Sequence, residues 1–227
     1  MSIAQLDYPK AKLLLHTDTD PEKQWRAHGC EKEPWTVAFI EAIEPGGVLW
    51  DVGANVGTYT LIALACDLRV VAIEPGFHNY ARLCENLALN NMLHRPIIIN
   101  GALGAESGMA SFYYGVLGPG YAQHSLGVPL DQGHHSQQIP VYRLDDLSVG
   151  LGIEPGPHYL KIDVDGGEAA VLDGAAAFLS RDDVRGVVCE MPLATEAEIT
   201  AWFKVAGWPL AERHAPRQEV CYGIFRR

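Results

Sequence analysis

Four apolar runs in this chain end on an acid, and each is followed by a break. Val48-Leu49-Trp50-Asp51 runs into Val52-Gly53-Ala54-Asn55-Val56-Gly57-Thr58-Tyr59-Thr60, and Val70-Val71-Ala72-Ile73-Glu74 runs into Pro75-Gly76. Tyr159-Leu160-Lys161-Ile162-Asp163 precedes Gly166-Gly167, and Val184 to Glu190 is the fourth run. A buried strand that ends this way delivers a carboxylate to the edge of a sheet, where it can accept hydrogen bonds from a ligand. The Gly-x-x-x-Gly turn lets backbone N–H groups approach that ligand, and the helix that follows adds partial positive charge. This is chemistry for a nucleotide-like molecule.

Three ligands compete for the loop. A phosphate-binding P-loop needs Gly-Lys-Ser/Thr at its end, whereas Gly57 is followed by Thr58-Tyr59. A dinucleotide fingerprint needs glycine where Asn55 and Thr58 stand, so the close approach to a pyrophosphate is missing. S-adenosylmethionine carries no phosphate but has a sulfonium, an amino acid head and a ribose diol. Asp51 would then lie near the charged methionyl part or an ordered water beside it. Glu74 would accept from both ribose hydroxyls, since a carboxylate has two acceptor oxygens.

Four blocks in order carry a family resemblance: Asp51-Val-Gly-Ala-Asn-Val-Gly57-Thr-Tyr-Thr60, Glu74-Pro75, Leu144-Asp145-Asp146-Leu147 and Lys161-Ile-Asp163-Val-Asp165-Gly166-Gly-Glu168. From about Val48 to about Met191 the chain resembles the FkbM-type S-adenosylmethionine-dependent methyltransferases. The resemblance implies a class I, Rossmann-like α/β fold and O-methylation of a hydroxyl on a small molecule, such as a natural product or a sugar-like acceptor. It also implies that Asp51, Gly53, Ala54, Asn55, Gly57, Thr58, Thr60, Glu74, Pro75, Ala102 and Asp163 bind the cofactor. The family usually has Glu where Asp165 stands, and Gly115 to Gln137 matches nothing in its pattern.

Methyl transfer from a sulfonium is an in-line displacement that needs alignment and, for an alcohol, removal of a proton. Asp163 is the first candidate near the reacting centre, either orienting acceptor or donor or capping the helix that starts at Gly166-Gly167. His124, with His134 and His135 nearby, is the candidate general base, although an isolated loop histidine is more often simply solvated. Glu190 with Asp163 and Asp165 offers hard oxygen ligands for a divalent cation. Plain charged strand ends are the preferred reading, and no metal is expected.

The elements that must position these groups follow from periodicity. Trp35, Phe39, Ile40 and Ile43 share a helical face that begins at Pro34 and ends at Pro45-Gly46-Gly47. Helices are expected over Thr58–Cys66, around Tyr80–Leu87, along Glu168–Leu179 and after a Thr195–Glu198 capping box. Strands are expected at Ile97–Ile99 and in a C-terminal pair, Trp208–Glu212 with Gln218–Phe225. Repeated strand–helix–strand order with continuous apolar runs predicts a mostly parallel sheet covered on both faces and antiparallel pairing at the C-terminus, and the resemblance implies that the sheet has seven strands with helices on both faces.

One domain, 34–227, accounts for this, with 1–33 as an extension packing on the core. Within 1–33, Trp25, His28 and Glu31-Lys32-Glu33 are read as core cover in preference to ligand wall. Residues 101–157 read as an irregular insertion, a substrate lid in expectation, although Gln138 to Arg143 alternates like a strand. The formal net charge of −11 disfavours nucleic acid. No secretory or membrane-spanning segment is visible, and five scattered cysteines point to reduced thiols in a cytoplasmic protein. The expected partner is a small-molecule acceptor, with no membrane; a homo-oligomer stays open. Two other readings remain: a non-catalytic S-adenosylmethionine-binding partner protein, and an NAD-linked reductase.

Overall fold

The computed structural model describes residues 2–131, 135–153, 156–217 and 219–227; His134 lies outside them. A hairpin of β1 (Ile3–Gln5) and β2 (Leu14–His16) comes first, followed by a π-helical turn at Glu22–Arg26, α1 (Gly29–Lys32) and α2 (Pro34–Glu41). Then come β3 (Val48–Val52), α3 (Thr58–Ala65), β4 (Arg69–Ile73), α4 (Phe77–Leu89) and β5 (Ile97–Ile99). A second group holds β6 (Ala102–Leu103), β7 (Gly108–Tyr114), β8 (Ser125–Leu126), β9 (His135–Tyr142) and α5 (Leu144–Leu151). The chain finishes with β10 (His158–Ile162), α6 (Glu168–Asp173), α7 (Ala176–Leu179), β11 (Val184–Pro192), α8 (Glu196–Val205), β12 (Leu210–Arg217) and β13 (Val220–Arg226).

The main sheet has seven strands in the order β12-β13-β11-β10-β3-β4-β5. All pairings are parallel except those of β13, which runs against both β11 and β12. This is the mostly parallel sheet the patterning predicts, in the class I, Rossmann-like arrangement the resemblance implies. Strand order reverses at β3, with β4 on one side and β10 on the other, so the loops leaving β3 and β10 open a crevice between them.

Alternation along each strand divides the core into two layers. Val48, Trp50 and Val52 join Leu160, Ile162, Phe178 and Trp208 on one face. Leu49 joins Ile62, Val70, Ala72 and Val188 on the other, with Leu6, Tyr8, Leu13 and Leu15 of the N-terminal segment. Every residue of β3 is at most 1% exposed. Each such large apolar side chain contributes about 1.5–3 kcal/mol by leaving water. Among the described residues no helix is long and apolar enough to cross a membrane. All five cysteines are unpaired, and Cys189 is core, as its apolar run suggests.

The structure departs from the sequence patterning in three places. Much of 101–157 is regular: β6, β7, β8 and β9 build a four-stranded sheet in the order β6-β9-β7-β8, with Phe112, Tyr114, Ile139 and Val141 as its own small core. Glycine and serine dilute the alternation in β7, and β8 spans two residues, so neither shows a clear period. Second, the helical face from Glu168 to Leu179 is broken into α6 and α7. Gly174 packs on the backbone of Gly104, where a Cβ would lie 2.0 Å from the carbonyl oxygen. Asp145 Oδ1 then accepts the Phe178 N–H at 2.7 Å and starts α7 afresh, the anchoring role its position in Leu144-Asp145-Asp146-Leu147 suggests. Third, Thr195 does precede α8, but its hydroxyl turns back to the Pro192 carbonyl at 3.4 Å and no capping box forms.

Gly53 is the position where glycine is indispensable. Its φ is +77°, and a Cβ would fall 1.8 Å from the Asp163 carbonyl oxygen, where the loops after β3 and β10 touch. Gly127 has the same φ of +77° with nothing within 4 Å of a Cβ. Gly127→Ala should therefore cost only the backbone strain, about 1 kcal/mol. Gly53→Ala should cost that strain plus a steric clash, together upwards of about 2 kcal/mol. Urea unfolding midpoints of the two variants check the difference, and equal midpoints would show that the loops do not meet as described.

Candidate active site

A cavity of about 230 Å³ opens at the carboxyl ends of β3, β4 and β10, in the crevice where strand order reverses. Gly53, Ala54, Asn55 and Thr58 of the glycine turn line it, with Glu74, Pro75, Ala102 and Asp163. These are the positions the family resemblance implies. Asp51, Gly57 and Thr60 sit behind this wall. The Asp51 carboxylate faces the sheet interior, Thr60 Oγ1 donates to it at 2.6 Å, and both side chains are fully buried. Gly57 has a φ of +89°, and a Cβ there would lie 2.4 Å from Leu83 Cδ1, so it serves the packing of α3 on α4.

Glu74 is held by backbone donors. Its Oε2 accepts the Asn55 N–H and its Oε1 the Gly76 N–H, each at 2.8 Å. Burial nevertheless raises its pKa to about 7, because the surrounding N–H groups offset only part of the lost hydration. Asn55 adopts a φ of +50°, a left-handed conformation that asparagine tolerates. Its side-chain Oδ1 accepts the Val56 N–H at 2.9 Å, and its Nδ2 donates to the Tyr121 carbonyl at 3.0 Å.

Lys161 is the cation at the base of the site. Its Nζ lies 3.1 Å from Asp51 and 3.5 Å from Asp163, donates to the Gly53 carbonyl at 3.3 Å, and sits 5.4 Å from the Tyr59 ring centroid. Burial alone would strip its proton, but Asp51, Asp163 and Glu33 overcome that and hold the ammonium above its ordinary range. Reciprocally, burial pushes the Asp163 carboxyl up while Lys161, Lys32 and Arg26 pull it further down, so it stays ionised.

Carboxylate oxygens of Glu33, Asp163 and Glu190 converge within 4.8 Å of one another. Glu33 takes the place in this trio that spacing would give to Asp165. Two of the three already touch a cation: Lys32 Nζ is 2.6 Å from Glu33, and Lys161 reaches Asp163. Glu190 instead receives a short hydrogen bond from the Tyr222 hydroxyl. Burial and the neighbouring Asp163 push its pKa up to about 8.

The other wall comes from the N-terminal segment and the loop before β8. Trp25, Arg26, Gly29 and Lys32 face the cavity, so the segment read as core cover also builds the site. Arg26 donates through Nε and Nη2 to the Gly120 carbonyl at 3.0 and 2.9 Å, and Thr19 Oγ1 donates to the Pro119 carbonyl at 2.9 Å. Asn79 takes the Gly120 N–H at 2.8 Å and donates to the Tyr121 carbonyl at 3.1 Å. Asp165 accepts the Gln123 N–H at 2.7 Å.

His124 lines the cavity, packed edge-on against Phe112 and Tyr114, with its Nδ1 toward the Gly115 N–H at 3.4 Å. Burial, with Arg26 nearby, depresses its pKa to about 4. It is therefore neutral and weakly basic, a wall more than a proton acceptor. His135 begins β9, away from this cavity.

Lys161 and Glu33 are the residues that sequence reasoning passed over. The signal for Lys161 was present: a charge inside a buried apolar strand has to be paired. Removing it should leave Asp51 and Asp163 uncompensated, and Lys161→Met should cost about 3–5 kcal/mol near neutral pH. Asp163 has a lowered folded pKa, so its contribution is present above the unfolded carboxylate range and fades as pH falls. The gap between wild type and Lys161→Met in chemical denaturation should thus narrow in acid; a gap independent of pH would contradict the ion pairing.

A model of the methyltransferase FkbM domain matches residues 51–207. The hexuronic acid methyltransferase AglP of Haloferax volcanii is 30% identical over 154 residues, covering 67% of this chain and 60% of AglP. The precorrin-6Y C5,15-methyltransferase of Geobacter metallireducens superposes with a TM-score of 0.53 at 14% identity, over 87% of each chain. The C-terminal domain of the Rhodobacter capsulatus precorrin-6Y enzyme gives 0.52 at 14% identity, over 91% of this chain and 96% of that one. These solved structures share the fold. The match across 51–207, with its glycine turn, its Glu74 and its Lys161–Glu168 block all at one crevice, makes this chain a member of the FkbM methyltransferase family.

Proposed function

We propose that this protein transfers a methyl group from S-adenosylmethionine to a hydroxyl of a small, sugar-like molecule. The observation that carries the donor assignment is Glu74: a buried carboxylate held by two N–H groups beside a glycine turn that lacks the pyrophosphate glycines. The two acceptor oxygens of a carboxylate suit a ribose diol. Gly53 presents only backbone to the cavity, and the acids around it suit a cationic group. A dinucleotide fits less well, because Asn55 and Thr58 carry side chains where it needs glycine. AglP, named for a hexuronic acid, supports a sugar-like acceptor.

When bound, S-adenosylmethionine supplies a methyl group activated by a sulfonium. The protein's part is to hold and align. Glu74 would fix the ribose end, and the Gly53–Asn55 turn the middle. Asp163, kept ionised by Lys161, would orient the amino acid head or the acceptor hydroxyl. Trp25, Arg26 and Lys32 line the cavity and would displace water from it when the ligand is bound.

Calorimetry with S-adenosylmethionine, S-adenosylhomocysteine and NAD tests the donor: both sulfur compounds should bind and NAD should not. Turnover of any acceptor then distinguishes an enzyme from a binding partner. Ionised Glu74 is the better acceptor, so affinity for S-adenosylhomocysteine should rise as pH passes from about 6 to about 8 and then level off. Glu74→Gln should weaken binding by about tenfold or more and flatten that profile. An unchanged profile in the variant would remove Glu74 from the site.

A further inference from the structure

The amino acid head of S-adenosylmethionine carries two opposite charges. The acid at the end of β10 answers its ammonium, and its carboxylate calls for a cation. Arg26, Lys32 and Lys161 are the cations among the described residues that line the donor cavity. Lys161 is committed to Asp51 and Asp163, and Lys32 to Glu33. Among the described residues Arg26 forms no ion pair, and its side-chain hydrogen bonds go to one neutral acceptor, the Gly120 carbonyl. A half-buried cation without a counter-charge is costly to hold, and a ligand that brings an anion removes that cost.

The guanidinium is also fixed in place. The Thr58 hydroxyl donates to the Arg26 backbone carbonyl at 3.1 Å. A Cβ at Gly29 would meet Thr58 Cγ2 at 2.5 Å, so this part of the N-terminal segment is pressed against the start of α3. Nε and one Nη2 proton are spent on Gly120, which leaves the Nη1–Nη2 edge with two parallel N–H groups. That edge matches the two oxygens of a carboxylate. Its charge acts at the end of the cavity where the head would lie, since Arg26 helps to lower the Asp163 carboxyl.

We propose that Arg26 binds the carboxylate of the donor's amino acid head, so that a residue outside the family-matched span 51–207 completes the cofactor site. The inference rests on the donor reading above. It goes beyond that reading by giving the head two separate partners, Asp163 for the ammonium and Arg26 for the carboxylate. Because the same guanidinium holds the Gly120 carbonyl, a bound donor joins the N-terminal segment to the loop before β8. Arg26 is thus a binding and positioning residue, with no part in the bond changes of methyl transfer.

The test is calorimetry on the full chain with S-adenosylhomocysteine and its decarboxylated analogue, S-adenosyl-3-thiopropylamine. The two compounds differ only in the carboxylate. Wild type should bind S-adenosylhomocysteine at least about tenfold more tightly than the analogue. Arg26→Gln should weaken S-adenosylhomocysteine by about tenfold or more and leave the analogue within about threefold of its wild-type affinity, erasing most of the preference. Thr19→Val is the control for the loop. It removes the anchor on the Pro119 carbonyl and leaves the guanidinium in place, so the preference should persist.

A wild type that binds both compounds alike would overturn the inference, whether or not any variant folds. So would Arg26→Gln weakening both compounds equally, the mark of a residue that only holds the loop. Loss of the preference in Thr19→Val would overturn it too. Failure of S-adenosylhomocysteine to bind wild type would instead strike the donor reading on which the inference rests.

Discussion

One buried ammonium group holds this structure together where it matters. Lys161 sits inside the central sheet, opposite Asp51 in the β3–β10 register, with Asp163 two residues on. A charge so placed is stable only when paired, and pairing it fixes both strands that flank the crevice. The lysine also donates to the Gly53 carbonyl, so the glycine turn and the β10 terminus are referred to a single point. The position of Asp163, the closeness of Gly53 to its backbone and the shape of the cavity floor all follow. Asp51 and Thr60 stand behind the cavity wall as the foundation of that ion pair.

Around this anchor the acids divide by environment. Asp163 stays ionised because three cations face it, whereas Glu74 and Glu190 are pushed upward by burial. Carboxylates at equivalent strand ends therefore have different protonation behaviour near neutral pH. The N-terminal segment is needed for this division, since Lys32, Arg26 and Glu33 all enter the site from it.

The main sheet was legible because its strands are buried on both faces and so read as unbroken apolar runs. Val48–Asp51, Val70–Glu74 and Tyr159–Asp163 each became a strand within a residue or two, and the C-terminal hairpin appeared as its spacing implies. Of the small sheet only β9 was legible, from the alternation over Gln138 to Arg143; its pairing, parallel with β6 and antiparallel with β7, is set by distant partners. In the same way nothing local to Glu31-Lys32-Glu33 reveals that Glu33 will meet Asp163 and Glu190. Short-range pattern shows which residues are buried; it does not show which surface finally covers them.

Asn55 carries a consequence for how such proteins diverge. Glycine here would restore one element of a dinucleotide fingerprint and relieve the left-handed backbone at no steric cost. It would also delete the amide that grips the Tyr121 carbonyl and the oxygen that caps Val56. Asn79 would then be left to hold the Tyr121 carbonyl without Asn55. A change at this residue therefore acts on the loop that closes the cavity as well as on the turn itself.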